Sequence, residues 1–440
     1  MVAADPATPR VRTAVHEGND LLADLDQPLE KRVAALEKQM SKAAQAEEKA
    51  KAQASQKFTA KVFGRINADA IAFDQDEANK ALLGDIPNGA DIRRLRLGVM
   101  GDGFEILSYR ADVDFVTNDP ATQKRPTLFD CYLEVHELPA LGNVRVGHFR
   151  EPFSLERLDS TNDIPYLERS LAVNTFAPFR NLGLMAFDHS DAKDMTWAVG
   201  TFRDNSNEFG EDLSESGGQA VTGRVTWLPW YDEPSEGRYL LHFGASGSWR
   251  DARDERKRFS QTPEVVLHED LVSIPRFIDT GTIATGTYQV FGVEASTVNG
   301  PWSLQAEYLG TTVDQLGAPN LFFHGYYVEA MWFLTQEHRN YDRDLGVYKA
   351  VTPHSNFFRV LTADGICTSL GAWELMARYS WITLEDENIQ GGELANVTLG
   401  VNWYLATRTR VTFNYIHAFL DRNNIASEAD IFGTRFQVVW

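Results

Sequence analysis

The sequence has few cysteines, a shortage of basic residues and no long apolar run. Its 440 residues contain two cysteines, Cys131 and Cys367, which lie far apart and so form neither a disulfide framework nor a zinc site. No stretch approaches about 18 uninterrupted apolar residues, which excludes a helical membrane protein. The 42 Lys and Arg against 62 Asp and Glu give a net charge of −20, which argues against nucleic acid as the main partner. A membrane barrel stays open, because such barrels look almost soluble by composition.

The length and the start of the chain leave more than one organisation open. The chain is long enough for two or three ordinary domains, or for one large all-β domain with an appendage. Residues 1–9 lack the basic start and the apolar core of a secretory signal. The protein is therefore either cytosolic or an exported chain from which a signal has been removed.

Residues 1–57 are predicted to contain a helical stalk. Between Pro28 and Gln56 the chain has no glycine and is rich in Ala, Glu, Lys and Gln, which are good helix formers. Apolar residues there are spaced four and three apart, as in the seam of a coiled coil. The predicted trimerisation residues of this seam are Leu29, Val33, Leu36 and Met40. A helix packed on the body is the alternative, but in the later part of the stalk the apolar residues are alanines, such as Ala43, Ala44 and Ala50, which offer little to a globular core.

From Phe58 to Trp440 the apolar residues follow a period of two. In the run from Trp373 to Trp381, for example, apolar residues alternate with Glu374, Arg378 and Ser380. Runs of roughly ten residues are typical of transmembrane strands, whereas the strands of soluble sandwiches are nearer five or six. Such segments lie approximately at 59–73, 92–102, 104–116, 127–138, 142–149, 181–188, 194–203, 219–229, 238–249, 283–298, 301–312, 321–334, 369–384, 392–405, 408–420 and 430–440. The predicted fold is all-β: a 16-stranded antiparallel transmembrane β-barrel over residues 58–440, preceded by the α-helical coiled coil.

The connections between these segments support a closed barrel in an outer membrane. Short turns are predicted on one side and long loops on the other, and an even number of strands returns both chain ends to the short-turn side, the periplasm. Closure pairs every backbone group in the hydrocarbon, and sixteen strands leave an aqueous lumen. Aromatic residues near strand ends, such as Trp227, Trp302 and Trp403, fit interfacial girdles. Residues 335–368 form a long connection on the short-turn side, so we expect this segment to fold back into the barrel.

Short motifs spread over the body are similar to those of a known family. They are Arg93-Arg94-Leu95-Arg96-Leu97-Gly98, Val146-Gly147-His148-Phe149-Arg150-Glu151-Pro152-Phe153, Leu334-Thr335-Gln336-Glu337-His338-Arg339-Asn340-Tyr341, Gly371-Ala372-Trp373-Glu374-Leu375 and Leu399-Gly400-Val401-Asn402-Trp403-Tyr404-Leu405. The body resembles the phosphate-selective porin O and P family. The resemblance implies a homotrimer of 16-stranded barrels in the outer membrane of a Gram-negative-type bacterium, with loops folded into each pore. Gln336 stands where the family has a glycine.

Loop 150–180 is predicted to constrict the pore. It is longer than the roughly 12–15 residues beyond which loops are usually functional or disordered, and its prolines and aromatic residues favour packing. A packed surface lid is the alternative. With the polar face of each strand turned inward, the predicted pore-lining and solute-binding residues are Arg94, Arg96, Arg110, Arg145, Arg150, Arg157, Arg169, Arg180, Arg224, Arg378, Glu294, Glu307 and Glu329. The arginines lie mostly on early strands and the glutamates on strands ten to twelve, so we expect basic and acidic walls to face each other.

The solute is less well specified than the fold. Anion-selective pores need Lys and Arg to dominate the narrow zone, whereas these residues carry both signs. The residues therefore favour general diffusion of small hydrophilic solutes, anionic or neutral, and phosphate is implied only by the resemblance. The acidic body is expected to contact lipid and lipopolysaccharide through divalent cations.

A structural anchor and an enzyme are the two other classes of function to compare with a channel. A structural anchor would use the stalk to reach across the periplasm to peptidoglycan, since 28 helical residues span roughly 40 Å. An outer-membrane enzyme would need a nucleophile with its base, and no such motif, metal-ligand spacing or cofactor motif occurs in the sequence. We therefore expect a channel that is not an enzyme and has no cofactor.

Overall fold

The computed structural model describes residues 40, 42, 58–116, 126–204, 218–267, 274–362 and 365–440. Residues 59–102 and 106–440 form one compact unit. The predicted seam residues Leu29, Val33 and Leu36 lie outside the described residues, and Met40 is helical and exposed, so the coiled coil stays a prediction. Among the described residues, no helix has the length and apolar character needed to cross a membrane.

Sixteen long antiparallel strands of the described residues form a closed wall. Each strand pairs with its neighbours along the chain, and the last strand pairs with the first from Arg65–Val439 to Gln75–Ala429. The strands are β1 Lys61–Gln75, β2 Gly89–Gly103, β3 Leu107–Asp114, β4 Thr127–Leu138, β5 Gly142–Arg150, β6 Arg180–His189, β7 Met195–Arg203, β8 Gln219–Tyr231, β9 Tyr239–Asp251, β10 Ile283–Asn299, β11 Trp302–Gln315, β12 Leu321–Phe333, β13 Ala372–Asp386, β14 Ile389–Ala406, β15 Thr409–Arg422 and β16 Ile425–Val439. The predicted fold class is confirmed.

The period of two places apolar side chains outside the wall and polar ones inside. On β16, Arg435 and Gln437 are buried, whereas Phe432 and Phe436 are exposed by about half of their surface. On the neighbouring β15, Thr412 is buried in the same way as the polar residues of β16. This distribution is the reverse of that in a soluble protein and is typical of a barrel whose outer face contacts lipid.

The predicted alternation of short and long connections holds for only part of the barrel. The long-loop rim carries 151–179 and 252–282, but its connections 316–320, 387–388 and 423–424 are also short. The last strands are longer at this rim than predicted, because the pairing between neighbouring strands continues up to the turns. For example, β16 begins at Ile425 rather than at residue 430. One connection contains a short helix, α1 Glu77–Leu83, which was not predicted from the sequence.

Two connections enter from opposite rims and lie against the inner face of the wall. The first, here called the inward loop, is residues 151–179; it contains helix α2 Leu155–Leu158 and helix α3 Leu171–Phe176. The second, the inward segment, is residues 335–356. Arg410 of β15 donates a hydrogen bond to the carbonyl of Ile164 in the loop, and Arg339 in the segment donates to Gln305 of β11 at 2.8 Å. Both connections therefore occupy space inside the barrel.

Gln336 begins the inward segment in a strained backbone conformation. Its φ of +74° lies in the left-handed region that favours glycine. The resemblance to the porin family implies a glycine at this position, so Gln336 places a side chain where the backbone disfavours one.

A hairpin follows the inward segment at the short-turn rim. The predicted strand 369–384 was placed too early, because Gly365–Leu370 pairs with Phe357–Thr362 as a separate two-stranded sheet and β13 starts at Ala372. The indole N–H of Trp403 donates to the carbonyl of Leu370 at 2.7 Å, and the Trp403 ring stacks on Trp373 at 5.1 Å. The same rim carries stacked Trp302 and Trp332 rings, 4.7 Å apart. Tryptophans at this level are typical of the boundary between hydrocarbon and headgroups.

Candidate functional site in the barrel lumen

Glu168 ties the inward loop to the first and last strands of the wall. Its carboxylate accepts hydrogen bonds from Arg93 and Arg94 at 2.9 Å, and from Arg435 at 3.3 Å. Burial opposes ionisation of this carboxyl, but the three guanidinium groups hold the pKa of Glu168 well below its usual range. The loop is therefore attached through a carboxylate that stays ionised at neutral pH.

The arginines within the inward loop mainly hold the loop itself in shape. Arg169 donates to the carbonyl of Glu156 at 2.6 Å and to the carbonyl of Asp159 at 2.7 Å. Arg157 donates to the carbonyl of Ala177 at 3.2 Å. Both arginines are buried, so their guanidinium groups satisfy backbone carbonyls that would otherwise lack partners inside the barrel.

Glu307 of β11 lies beneath helix α2 and accepts hydrogen bonds from its first turn. Its two carboxylate oxygens accept from the backbone N–H of Glu156 at 2.7 Å and of Leu155 at 3.2 Å. Tyr327 donates to the same carboxylate at 2.7 Å. This glutamate therefore positions the loop and is covered by it.

The other two predicted glutamates are also buried beneath the inward elements. Glu294 pairs with Arg224, whose Nη2 also donates to the carbonyl of Gly346 at 2.9 Å. Glu329 lies 3.9 Å from the guanidinium of Arg378. The predicted acidic wall thus exists, but the inward loop and inward segment cover it.

Asp159 joins the two inward elements. Its Oδ1 accepts a hydrogen bond from the backbone N–H of Tyr348 at 2.8 Å, and its Oδ2 lies 3.3 Å from Nη2 of Arg339. Burial raises the pKa of the Asp159 carboxyl to about 7, against the opposing effect of Arg339. One side chain of the loop therefore binds the segment that enters from the other rim.

A cavity of about 330 Å³ remains between the inward elements and strands β1 to β8. Its position along the early strands is a consequence of the inward elements covering the later ones. Seven arginines and four aspartates of the described residues line it. They are Arg65, Arg96, Arg110, Arg145, Arg150, Arg180, Arg224, Asp112, Asp130, Asp188 and Asp344. This cavity is therefore bordered by the basic half of the wall.

Most of these arginines form ion pairs along the wall. The pairs are Arg96–Asp114, Arg110–Asp112, Arg145–Glu134, Arg180–Asp130 and Arg224–Glu294, with N–O distances from 2.5 to 3.4 Å. Within the described residues, no group of three or more His, Cys, Asp or Glu side chains is arranged to hold a metal ion. The wall thus presents guanidinium groups, most of them balanced by a carboxylate.

Two cavity arginines differ, because their partners are uncharged. Arg65 donates to the hydroxyl of Thr161 at 2.5 Å and to the side-chain carbonyl of Asn162 at 2.8 Å. Arg150 donates to the carbonyls of Leu158 and Asp159 at 2.8 and 2.9 Å. In the part of the chain that the structure describes, Nε and Nη2 of Arg65 and Nε of Arg150 are buried without a hydrogen-bond acceptor. These two side chains supply uncompensated positive charge to the cavity.

The predicted pore residues thus fall into two groups. Those that line the cavity are Arg96, Arg110, Arg145, Arg150, Arg180 and Arg224. Those that hold the inward elements or are covered by them are Arg94, Arg157, Arg169, Arg378, Glu294, Glu307 and Glu329. Arg65 was not among the predicted residues, although it shares one face of β1 with Phe63 and Asn67 and alternates with the exposed Ile66. A role for any of these residues in solute binding stays a prediction.

A closed wall that is apolar outside and polar inside, with a long loop folded into its lumen, defines an outer-membrane porin. The family model for phosphate-selective porin O and P matches residues 61–440, and the chain belongs to this family. The chain is 25% identical over 423 residues to Porin O of Pseudomonas aeruginosa, an alignment that covers 87% of this chain and 89% of that protein.

Solved structures share the fold at low sequence identity. OmpT, an outer membrane protein of Vibrio cholerae, superposes with a TM-score of 0.53 at 13% identity, covering 87% of this chain and 98% of OmpT. The outer membrane channel DcaP of Acinetobacter baumannii gives a TM-score of 0.52 at 10% identity, covering 87% of this chain and 97% of DcaP. At this identity the likeness shows the architecture alone.

Proposed function

We propose that this porin passes small hydrophilic solutes passively through the lumen beside β1 to β8, with a preference for anions. The observation that carries the proposal is that two of the seven cavity arginines, Arg65 and Arg150, have uncharged hydrogen-bond partners, whereas the other five are paired with carboxylates. An excess of fixed positive charge at a narrow zone attracts anions and repels cations. Phosphate is one such anion, and the name of the matched family makes it a candidate here.

We also propose an oligomeric state for the protein and an orientation in the membrane. The protein forms a homotrimer, its short-turn rim and N-terminus face the periplasm, and the stalk of residues 1–57 supports the trimer. The family resemblance and the seam spacing of the stalk support these points. Apparent mass in detergent, before and after removal of residues 1–57, tests them: a monomeric full-length protein would contradict the trimer.

Reversal potentials in planar bilayers under a KCl gradient test the anion preference. The wild-type channel is expected to be more permeable to chloride than to potassium. Arg110→Gln removes a cavity guanidinium that is partly exposed, and the permeability ratio is expected to fall. Arg258→Gln removes an arginine with a 55% exposed side chain, paired with Asp279, outside the cavity, and serves as the matched control. A cation-preferring wild-type channel would refute the proposal.

A further inference from the structure

The cavity offers more than positive charge, because much of its lining is apolar. Phe63, Tyr132 and Phe187 lie on the wall, and Pro152 and Leu158 of the inward loop line the same space. The volume of about 330 Å³ lies near the lower end of the roughly 300–1,000 Å³ typical of small-molecule sites. Such sites combine an apolar lining with a few placed polar groups.

Arginine guanidinium groups lie over the faces of the aromatic rings in this lining. The guanidinium of Arg110 lies 4.5 Å from the ring centre of Phe63. That of Arg145 lies 4.3 Å from the ring centre of Tyr132 and 5.1 Å from that of Phe187. The guanidinium of Arg110 lies over the Phe63 ring, and its other face can stack on a further flat group.

The arginines of the cavity lining that have no carboxylate partner among the described residues are Arg65 and Arg150. Only 3% of the Arg65 surface is exposed, and its free N–H groups belong to a side chain that lines the cavity. A buried guanidinium without a counter-charge is unfavourable, and a bound carboxylate would relieve that cost. A carboxylate matches the planar geometry of these donors.

We propose that the cavity is a binding site for aromatic monocarboxylates, whose charge pairs with Arg65 and Arg150 and whose ring contacts Phe63, Tyr132 and Phe187. Inorganic phosphate fits the cavity less well, because it is charged on every side and would lose hydration against the apolar lining without compensation. The inference rests on the proposed anion-preferring channel and names the class of solute that binds in it.

Block of single-channel chloride current tests the inference, with benzoate, acetate and inorganic phosphate as probes. Benzoate is expected to reduce the current by half at a concentration about tenfold below that needed for acetate or phosphate. Arg65→Gln is expected to raise the half-blocking concentration of benzoate by about tenfold, and Arg65→Lys by less. Phe187→Leu is expected to weaken block by benzoate and leave block by acetate unchanged.

The controls separate this inference from the proposed function and from misfolding. Arg258→Gln is expected to leave all three half-blocking concentrations unchanged, and each variant is used only if its barrel retains heat-modifiable migration and chloride conductance. Equal block by benzoate and acetate, or stronger block by phosphate, in a channel that still prefers chloride would overturn the inference alone. A channel without chloride preference would overturn the proposed function instead.

Discussion

Gly64 and Trp440 exchange two backbone hydrogen bonds across the seam of the barrel. The N–H of Gly64 donates to the carbonyl of Trp440 at 3.1 Å, and the N–H of Trp440 donates to the carbonyl of Gly64 at 3.0 Å. The last residue of the chain thus completes the pairing of β16 with β1. The indole of Trp440 lies over Gly64, which has no side chain to displace it.

Substituting Gly64 should destabilise this seam. A Cβ at this position would lie 2.3 Å from Cζ2 of Trp440 and 2.7 Å from the carbonyl oxygen of Arg96, so Gly64→Ala forces the indole to move. Overpacking of this kind typically costs about 1–3 kcal/mol. Unfolding in urea can be monitored by the loss of heat-modifiable migration, and the urea concentration at its midpoint should fall. Gly247→Ala is the matched control, since a Cβ there has no atom within 4 Å among the described residues. Equal midpoints for the two variants would contradict the prediction.

Replacing Gln336 by glycine should stabilise the protein. The left-handed conformation of Gln336 is disfavoured by about 1–2 kcal/mol for a residue with a Cβ. Glycine adopts it freely but loses more chain entropy, so a net gain of about 0.5–1 kcal/mol is expected. Equilibrium unfolding in urea measures the change. Gln315→Gly, a substitution at the end of β11, provides a comparison with the opposite expected sign. An unchanged or lowered midpoint for Gln336→Gly would show that its side chain stabilises the turn.

Stability should depend on pH through Asp159. The folded-state pKa of about 7 lies above the unfolded value of about 3.9, so the unfolded chain releases this proton first as the pH rises. The contribution of this carboxyl to stability is therefore full below pH of about 4, falls as the pH rises to about 7 and changes little above that. In Asp159→Asn the loss of stability across this window should be smaller than in the wild type. Unfolding midpoints at a series of pH values measure the difference; parallel profiles for the two proteins would refute the assignment.

The two cysteines report which surface faces lipid. Cys131 is exposed on the outer face of β4, whereas Cys367 is exposed in the hairpin at the short-turn rim. In nanodiscs, where both rims are open to solvent, a charged maleimide should label Cys367 quickly and Cys131 slowly. The variants Cys131→Ser and Cys367→Ser assign each rate, and detergent denaturation should equalise them. Rapid labelling of Cys131 in the intact disc would place the outer face of β4 in water.

The alternation of side chains was sufficient to predict the barrel, because a wall one residue thick exposes each residue to one of only two environments. Arg110 and Phe432 could be assigned to the inner and outer face in this way. The covering of Glu294, Glu307 and Glu329 could not, since it depends on the path of residues far away in the sequence. Glu307, for example, binds backbone N–H groups 151 and 152 residues earlier in the chain. Helix α1 was missed because its seven residues are too few for a periodic pattern, although Asp76 is a good N-cap.

The bond between Asp159 and Tyr348 has a mechanical consequence. It joins the inward loop, which enters from one rim of the barrel, to the inward segment, which enters from the other. A displacement of either element would therefore break this hydrogen bond or move the other element. The cavity between them is lined by residues of both elements, so its free space depends on the positions of the loop and the segment together.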